Sequence, residues 1–253
     1  MAAIVAFANQ KGGVGKTTTA IHIAAAVAAS GYKTLLIDLD PQGNIASGFG
    51  IRKVDVKYSI YDVLIERCTP AEAMLTTCVS RLSVIPSTLD LVGIESEFAA
   101  RSGANTRLSD ILTPILSDFD YIFIDCPPSL SLITLNALVA ADAVVVPMTC
   151  EFYALEGLSQ LHITLKKVRK LYNPRLSLAG ILLTMHNPRY TLTAQVVAEL
   201  RRHYGTELFK STISRSVRLA EAPGFGRPVF DTAPTSKSAK EYKAAAKELM
   251  MRI

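Results

Sequence analysis

A glycine-rich segment near the start of the chain carries the residue types that bind the phosphates of a nucleotide. It reads Lys11-Gly12-Gly13-Val14-Gly15-Lys16-Thr17-Thr18 and lies between an apolar run and a helix-like stretch. Glycines let backbone N–H groups turn inward around phosphate oxygens, and the positive end of the following helix faces the same anion. Lys16 can reach the β- and γ-phosphates, and Thr17 can ligate Mg²⁺. The segment therefore predicts a phosphate-binding loop.

The loop departs from the usual pattern at its first position. GxxxxGK[ST] requires a glycine at position 10, where this chain has Gln10, and a second lysine, Lys11, opens the loop. A second cation near a transferred phosphoryl group would stabilise the charge of the transition state. We expect Lys11 to act on phosphates in this way, although by itself it could also be a solvated loop lysine.

Carboxylates follow two further apolar runs of strand length. Asp38 and Asp40 close the second run, and Asp125 closes the run Tyr121–Ile124. In an α/β fold such strand ends meet at the edge where ligands bind. Asp125 is therefore expected to hold Mg²⁺ or its waters, and the stiff Cys126-Pro127-Pro128 turn after it suits a switch that senses the γ-phosphate.

The composition indicates a folded protein with a large core. Of 253 residues, 49% are hydrophobic and 19% are charged, which excludes a disordered chain. No apolar run reaches the roughly 18 residues of a membrane-spanning helix, and the first residues do not resemble a signal peptide. The four cysteines are scattered without a CxxC pair, which argues against a zinc or disulfide framework and favours the cytoplasm.

Positive charge is concentrated near the C-terminal end. Residues 201–253 contain 11 Lys and Arg against 5 Asp and Glu, whereas residues 1–200 contain 16 against 17. A basic region this localised suggests a polyanionic partner, either nucleic acid or an anionic membrane. A solvated basic face without a partner is the alternative.

Apolar runs and helix-like segments alternate along the chain. The predicted strands are Ile4–Ala8, Thr34–Ile37, Leu82–Ile85, Tyr121–Ile124, Ala143–Pro147 and Leu178–Thr184. The predicted helices are Thr17–Ser30, Leu89–Ala100, Thr106–Ser117, Leu130–Ala141, Ala154–Leu171, Leu192–Tyr204 and Ser238–Met250, and the stretch 205–236 is expected to be irregular. This rhythm predicts an α/β fold with a doubly wound, mainly parallel sheet flanked by helices, in one domain over residues 1–253.

Five motifs together resemble one family. They are KGGVGKTT, DLDPQGN at 38–44, DCPPSL at 125–130, CEFYALEGL at 150–158 and VRLAEAPGFGRPV at 217–229. The chain resembles, over essentially its whole length, the ParA/Soj-type partition ATPases of the deviant Walker A (ParA/MinD) class of P-loop NTPases. The loop alone would also allow relatives of MinD, nitrogenase iron protein or ArsA, and the later motifs favour the ParA branch.

The resemblance implies roles for individual residues. ATP would be cradled by the loop residues Gly12, Gly13, Val14, Gly15, Lys16, Thr17 and Thr18. Thr17 would bind Mg²⁺ directly, and Asp125 would bind it through water. Asp40 would position the attacking water, while Asp38 would stand beside the metal or serve as a structural carboxylate. Lys11 would cross a dimer interface to the phosphates of the partner's ATP.

The same resemblance implies the more distant contacts. Met185 and Pro223 would contribute to the adenine pocket, and Arg189 and Arg218 would contact DNA. The protein would be an ATP-dependent homodimer that binds double-stranded DNA non-specifically, hydrolyses ATP slowly, and is stimulated by a ParB-type partner. It would be cytoplasmic and nucleoid-associated. No helix-turn-helix extension precedes the loop, so operator binding is not expected.

Three alternative functions would use the same phosphate-binding loop. A MinD-type membrane switch needs an amphipathic C-terminal helix, but the tail Lys237–Ile253 is alanine-rich and its apolar face is expected to pack on the body. An ATP-dependent metabolic enzyme needs a polar cluster for its substrate, and the four histidines occur singly. An iron–sulfur protein needs a second cysteine placed to complete a cluster with Cys126.

Overall fold

A computed structural model describes residues 2–98, 102–151 and 154–253 of the chain. Its strands are β1 Ala3–Phe7, β2 Thr34–Asp38, β3 Leu75–Thr76, β4 Leu82–Ile85, β5 Tyr121–Asp125, β6 Ala143–Thr149, β7 Ser177–His186 and β8 Leu208–Ser214. They form one sheet in the order β3-β4-β2-β5-β1-β6-β7-β8. Every pair in it is parallel except β3 with β4. The predicted doubly wound, mainly parallel sheet is therefore confirmed.

Helices connect the strands. They are α1 Lys16–Ala29, α2 Asn44–Gly48, α3 Ile60–Leu64, α4 Pro70–Ala73, α5 Ile94–Phe98, α6 Arg107–Leu112, α7 Leu132–Ala140, α8 Ala154–Leu171, α9 Thr191–Tyr204, α10 Val217–Glu221, α11 Val229–Thr232 and α12 Lys237–Met250. Short 3₁₀ segments occupy Lys53–Asp55, Leu89–Gly93, Thr113–Asp118 and Ala222–Phe225. The central strands β1, β2, β5 and β6 are almost completely buried because the apolar core has a cluster on each face of the sheet.

The prediction that residues 205–236 are irregular was wrong. This stretch contains β8, the helices α10 and α11, and a 3₁₀ turn. β8 is an edge strand, and in the described part of the chain it pairs with β7 alone. Its sequence mixes buried Leu208, Phe209 and Ile213 with the exposed Lys210, so it lacks the continuous apolar run of a central strand.

Two predicted helices are shorter than expected. The predicted helix Leu89–Ala100 is a 3₁₀ segment followed by α5, and its last two residues, Ala99 and Ala100, lie outside the described part of the chain. The predicted helix Thr106–Ser117 is α6 followed by a 3₁₀ segment. The α-helix ends before Pro114, which has no N–H to donate.

Helix α12 packs against the body of the protein, as predicted. Its apolar face, which includes Ala239, Tyr242, Ala245 and Leu249, is buried against β8 and α1. The Tyr242 hydroxyl lies 3.2 Å from Oγ1 of Thr19 in α1. The apolar face of α12 is thus part of the core of the protein. None of the helices in the described ranges combines the length and the apolar sequence that a membrane span requires.

Candidate functional site

The glycine-rich loop connects the end of β1 to the start of α1. Gly13 and Gly15 have φ values of 71° and 81°, in the left-handed region that glycine adopts without a steric penalty. A Cβ added at Gly12 or Gly13 would meet no atom of the described residues within 4 Å. The loop thus faces open space, and the N-terminus of the 14-residue helix α1 opens onto the same space.

Side-chain hydrogen bonds tie the two ends of the loop to strands β6 and β7. Asn9 donates from Nδ2 to the Pro147 carbonyl at 2.8 Å, and its Oδ1 accepts the Lys11 N–H at 3.0 Å. At the other end, Thr184 Oγ1 donates to the Val14 carbonyl at 2.7 Å. Sequence reasoning missed both contacts, because Asn9 and Thr184 lie 138 and 170 residues from their partners.

Lys16 points back across the loop. Its ammonium donates to the Lys11 carbonyl at 3.0 Å, and the residue is only 6% exposed. Burial lowers the pKa of Lys16, while attraction to Asp125 and Asp40 opposes this shift. An anion in the loop would further stabilise the charged ammonium.

Asp38 and Asp125 are paired in register at the carboxyl ends of the adjacent strands β2 and β5. Both side chains are fully buried, and neither Asp125 oxygen accepts a hydrogen bond of good geometry from the described residues. Burial and repulsion from Asp38 raise the pKa of Asp125 well above its usual range, while the nearby Thr17 hydroxyl and Lys16 act in the opposite direction. An unpaired buried carboxylate next to a threonine hydroxyl fits a Mg²⁺ site, because Mg²⁺ prefers oxygen ligands.

The Asp38 carboxylate braces the segment that follows it. Oδ1 accepts the N–H of Asp40 at 3.0 Å, and Oδ2 accepts the N–H of Ile45 at 3.1 Å. Burial raises the pKa of Asp38 to about 7, and these two hydrogen bonds limit the shift. The contacts are those of a structural carboxylate for residues 40–45, one of the two roles that the sequence left open.

Asp40 lies at the mouth of the site and is half-buried. One of its oxygens, Oδ1, accepts the Gln42 N–H at 3.0 Å. Within the described part of the chain, its other oxygen has no hydrogen-bond partner. Asp40 therefore has a fixed orientation and an oxygen available to accept a hydrogen bond.

Lys11 is bound within its own chain. Its ammonium pairs with Glu151, which follows β6, and the hydrogen bond from Lys11 lowers the pKa of Glu151. The sequence analysis did not single out Glu151, although it belongs to the CEFYALEGL motif. The next two residues of that motif, Phe152 and Tyr153, lie outside the described residues.

Met185 and Pro223, the two residues predicted to contact adenine, each line a cavity beside the start of α1. Met185 lines a cavity of about 250 Å³ with Gly15, Thr18 and Leu219. Pro223 lines a different cavity of about 270 Å³, which also opens at Thr18. The two cavities therefore meet at Thr18, at the start of α1.

The two arginines predicted to contact DNA are exposed on different elements. Arg189 is in the loop between β7 and α9, and Arg218 is on α10. Arg218 forms an ion pair with Glu221 at 3.1 Å, in which both side chains remain largely solvated. Met185, near the end of β7 and four residues before Arg189, and Leu219, next to Arg218 on α10, line the cavity beside the loop.

This fold and site define a P-loop nucleotide-binding protein. A glycine-rich loop joins the first strand of a mainly parallel sheet to the first helix, and acidic residues end β2 and β5, which are paired with each other. In agreement with this class, the AAA domain family matches residues 2–178.

The chain belongs to the ParA/Soj family of chromosome-partitioning proteins. It is 48% identical to the chromosome-partitioning ATPase Soj of Thermus thermophilus, over 98% of this chain and 96% of the relative. It is 47% identical to the chromosome partitioning protein ParA of Myxococcus xanthus, over 98% of this chain and 88% of the relative. The family predicted from the motifs is confirmed.

A similar solved structure carries the predicted cofactors. Cobyrinic acid a,c-diamide synthase of Mycobacterium smegmatis, with a bound ATP analogue and magnesium, has a TM-score of 0.87 and 35% identity to this chain. The match covers 99% of this chain and 94% of that one. The fold thus accepts ATP-like nucleotides with Mg²⁺ in that protein, in agreement with ATP and Mg²⁺ as the predicted cofactors.

Proposed function

We propose that this chain is an ATP-dependent dimerising switch that binds double-stranded DNA without sequence preference and hydrolyses ATP slowly on its own. One observation carries the nucleotide part of the proposal. The buried Asp125 carboxylate has no well-formed hydrogen bond from the described residues and interacts with Lys16 and Thr17 next to the phosphate-binding loop. Mg²⁺ would neutralise the Asp125 carboxylate, and the phosphates of ATP would neutralise the Lys16 ammonium.

The loop residues bind the phosphates. The backbone N–H groups from Gly12 to Thr18 surround the phosphate oxygens, and the Lys16 ammonium contacts the β- and γ-phosphates. The Thr17 hydroxyl and the Asp125 carboxylate would hold Mg²⁺. When bound, Mg²⁺ supplies positive charge to the phosphate oxygens. Asp38 keeps residues 40–45 in place beside this group through its two backbone hydrogen bonds.

Asp40 orients the water that attacks the γ-phosphate. Its carboxylate is anchored by the Gln42 N–H, and its second oxygen can accept a hydrogen bond from water. A residue that only positions water supports slow turnover, which a partner can accelerate by completing the site. We assign that stimulation to a ParB-type protein.

The adenine base is accommodated beside the start of α1. The cavity at Met185 combines apolar Met185 and Leu219, which suit the flat face of a base, with the charged Arg215. The cavity at Pro223 is mixed in the same way, with apolar residues and the charged Arg227. Both Met185 and Pro223 therefore stay in the proposal as adenine contacts.

Lys11 joins the two subunits of the ATP-bound dimer by contacting the phosphates of the partner's nucleotide. To do so, it must leave Glu151 of its own chain. Both side chains of this pair are partly exposed, and such surface ion pairs contribute only about 0–1 kcal/mol. The phosphates of ATP carry several negative charges, so they compete well with one carboxylate.

DNA binding follows from the basic C-terminal region together with Arg189 and Arg218. The ion pair of Arg218 with Glu221 is exposed, so a DNA phosphate can replace it at little cost. A dimer presents each arginine twice, which makes binding depend on ATP. Contacts to phosphates give affinity that is salt-sensitive and independent of sequence. The protein would accordingly be cytoplasmic and associated with the nucleoid.

Fluorescence anisotropy with two unrelated duplexes tests this function. With ATP and Mg²⁺, both duplexes should bind with similar affinity, and the affinity should fall steeply with salt. With ADP, binding should be much weaker. Strong preference for one duplex, or equal binding with ADP and ATP, would contradict the proposal. Anionic vesicles in a flotation assay provide the comparison with a membrane switch.

A further inference from the structure

The backbone of Lys11 is fixed by a residue to which the sequence motifs give no role. Asn9 is 8% exposed and uses both ends of its amide. Its Oδ1 accepts the Lys11 N–H at 3.0 Å, and its Nδ2 donates to the carbonyl of Pro147 in β6 at 2.8 Å. Asn9 therefore connects the first residue of the loop to a buried central strand.

This connection restrains the backbone N–H of Lys11, which the other contacts of Lys11 leave free. The Lys11 carbonyl accepts from Lys16, and the Lys11 ammonium pairs with Glu151. In an ATP-bound dimer, the ammonium must leave Glu151 to reach the partner's nucleotide. The bond from Asn9 involves only the backbone N–H, so it can persist while the side chain reorients.

We propose that Asn9 is a positioning residue that fixes the Lys11 backbone so that the Lys11 side chain projects across the dimer interface. The inference rests on the proposed cross-subunit role of Lys11. Its physical basis is preorganisation, since a segment that is already ordered loses less conformational entropy on association. Because the dimer is symmetric, the effect occurs once in each subunit.

Asn9→Ala removes both hydrogen bonds, and two measurements follow its effect. The first is the ¹⁵N order parameter of the Lys11 amide in the nucleotide-free monomer, which should fall from about 0.85 toward 0.6. The second is dimerisation with a non-hydrolysable ATP analogue, followed by sedimentation velocity. Dimerisation should weaken roughly fivefold per subunit and roughly 25-fold for the dimer. Affinity of the monomer for the analogue should change less than about threefold, since Asn9 contacts no predicted phosphate ligand other than Lys11.

Asn9→Ser is the conservative variant. A serine hydroxyl can accept the N–H two residues later, as asparagine does, but cannot reach as far as the Pro147 carbonyl. It should therefore restore most of the Lys11 order and most of the dimerisation. Thr184→Val is the matched control, because it removes the buried hydrogen bond to Val14 at the opposite end of the loop. It should leave the Lys11 order parameter unchanged.

The outcomes separate this inference from the proposed function. If Lys11→Ala dimerises as wild type does, the cross-subunit role of Lys11 is wrong. If Lys11→Ala is impaired, the inference about Asn9 is overturned by either of two results: an unchanged Lys11 order parameter in Asn9→Ala, or wild-type dimerisation despite a mobile Lys11. Lower order and weaker dimerisation in Asn9→Ala, both recovered in Asn9→Ser, would support it.

Discussion

At the scale of single residues, the pair Asp38 and Asp125 makes the stability of the nucleotide-free protein depend on pH. Burial raises the pKa of Asp38 to about 7, and it also raises the pKa of Asp125. Aspartates in the unfolded chain titrate near 3.9. The folded state therefore binds protons more tightly than the unfolded state. The resulting stabilisation is complete below about pH 3.9 and is lost as the pH rises through about 7.

We predict that the free energy of unfolding of the nucleotide-free protein falls between about pH 5 and 7.5, as the pH approaches and passes the raised pKa of Asp38. For one proton the slope is at most about 1.4 kcal/mol per pH unit. Urea unfolding at several pH values measures it. Asp125→Asn should flatten the dependence, and Asp118→Asn, at an exposed position, should not. Stability that rises across this window would contradict the assignment.

Asp40→Ala should separate nucleotide binding from hydrolysis. The variant keeps the loop and Asp125, so it should bind ATP and dimerise, but turnover should fall by roughly 100-fold or more because the attacking water loses its acceptor. Phosphate release measures turnover. The matched control is Asp90→Ala, since Asp90 is an exposed carboxylate that likewise accepts a hydrogen bond from a residue two positions away. If turnover were unchanged in Asp40→Ala, a residue other than Asp40 would orient the attacking water.

The sequence predicted the residues of the site better than the contacts that hold them. The loop glycines, Lys16 and Asp125 could be placed because their spacing relative to apolar runs is local information. The ties from Asn9 to Pro147 and from Lys11 to Glu151 could not, since the partners lie 138 and 140 residues apart. No periodicity in the chain encodes such a pairing.

At the scale of elements, the contact between α1 and α12 connects the phosphate-binding helix to the C-terminal helix. Tyr242 is 1% exposed, stacks on the His22 ring at a centroid distance of 4.8 Å, and has its hydroxyl 3.2 Å from that of Thr19. Tyr242→Phe removes only this hydrogen bond and should lower the free energy of unfolding by about 1 kcal/mol. Tyr242→Ala also creates a cavity and should lower it by about 3–5 kcal/mol.

Chemical denaturation checks both values. Tyr172→Phe is the matched control, because the Tyr172 hydroxyl accepts a hydrogen bond from Asn105 but the residue is 41% exposed. It should change stability by less than about 0.5 kcal/mol. If Tyr242→Ala were as stable as wild type, α12 would not be packed on α1 in solution.

The two strands that the sequence failed to predict, β3 and β8, lie at the edges of the sheet. Central strands such as β5 are recognisable in the sequence as continuous apolar runs, because both faces of the strand are buried. β8 is covered less and contains Lys210, and β3 has only two residues. Neither carries enough apolar sequence to be distinguished from a loop.

At the scale of the whole molecule, the basic C-terminal region predicts how DNA affinity responds to salt. Arg218→Glu, and more weakly Arg189→Glu, should greatly reduce DNA binding while leaving ATP-dependent dimerisation intact. Each lost phosphate contact should reduce the slope of log affinity against log salt by roughly one unit. Charge reversal should weaken binding more than neutralisation, because it adds repulsion.

Arg52→Glu is the matched control for this experiment. Arg52 is an exposed arginine that pairs with Asp55 three residues later, as Arg218 pairs with Glu221, so the change in net charge is the same. Anisotropy titrations at several salt concentrations compare the variants. If Arg52→Glu and Arg218→Glu weakened DNA binding equally, the effect would come from net charge alone. A local DNA contact of Arg218 would then be refuted.

The central claim is that ATP controls a switch between monomer and dimer. Sedimentation velocity with and without nucleotide tests this claim most directly. The protein should sediment as a monomer alone or with ADP, and as a dimer with ATP and Mg²⁺, most completely in Asp40→Ala. Adding a short duplex should produce a faster complex only when ATP is present. A single species whose mass is the same with ATP, with ADP and without nucleotide would contradict the account.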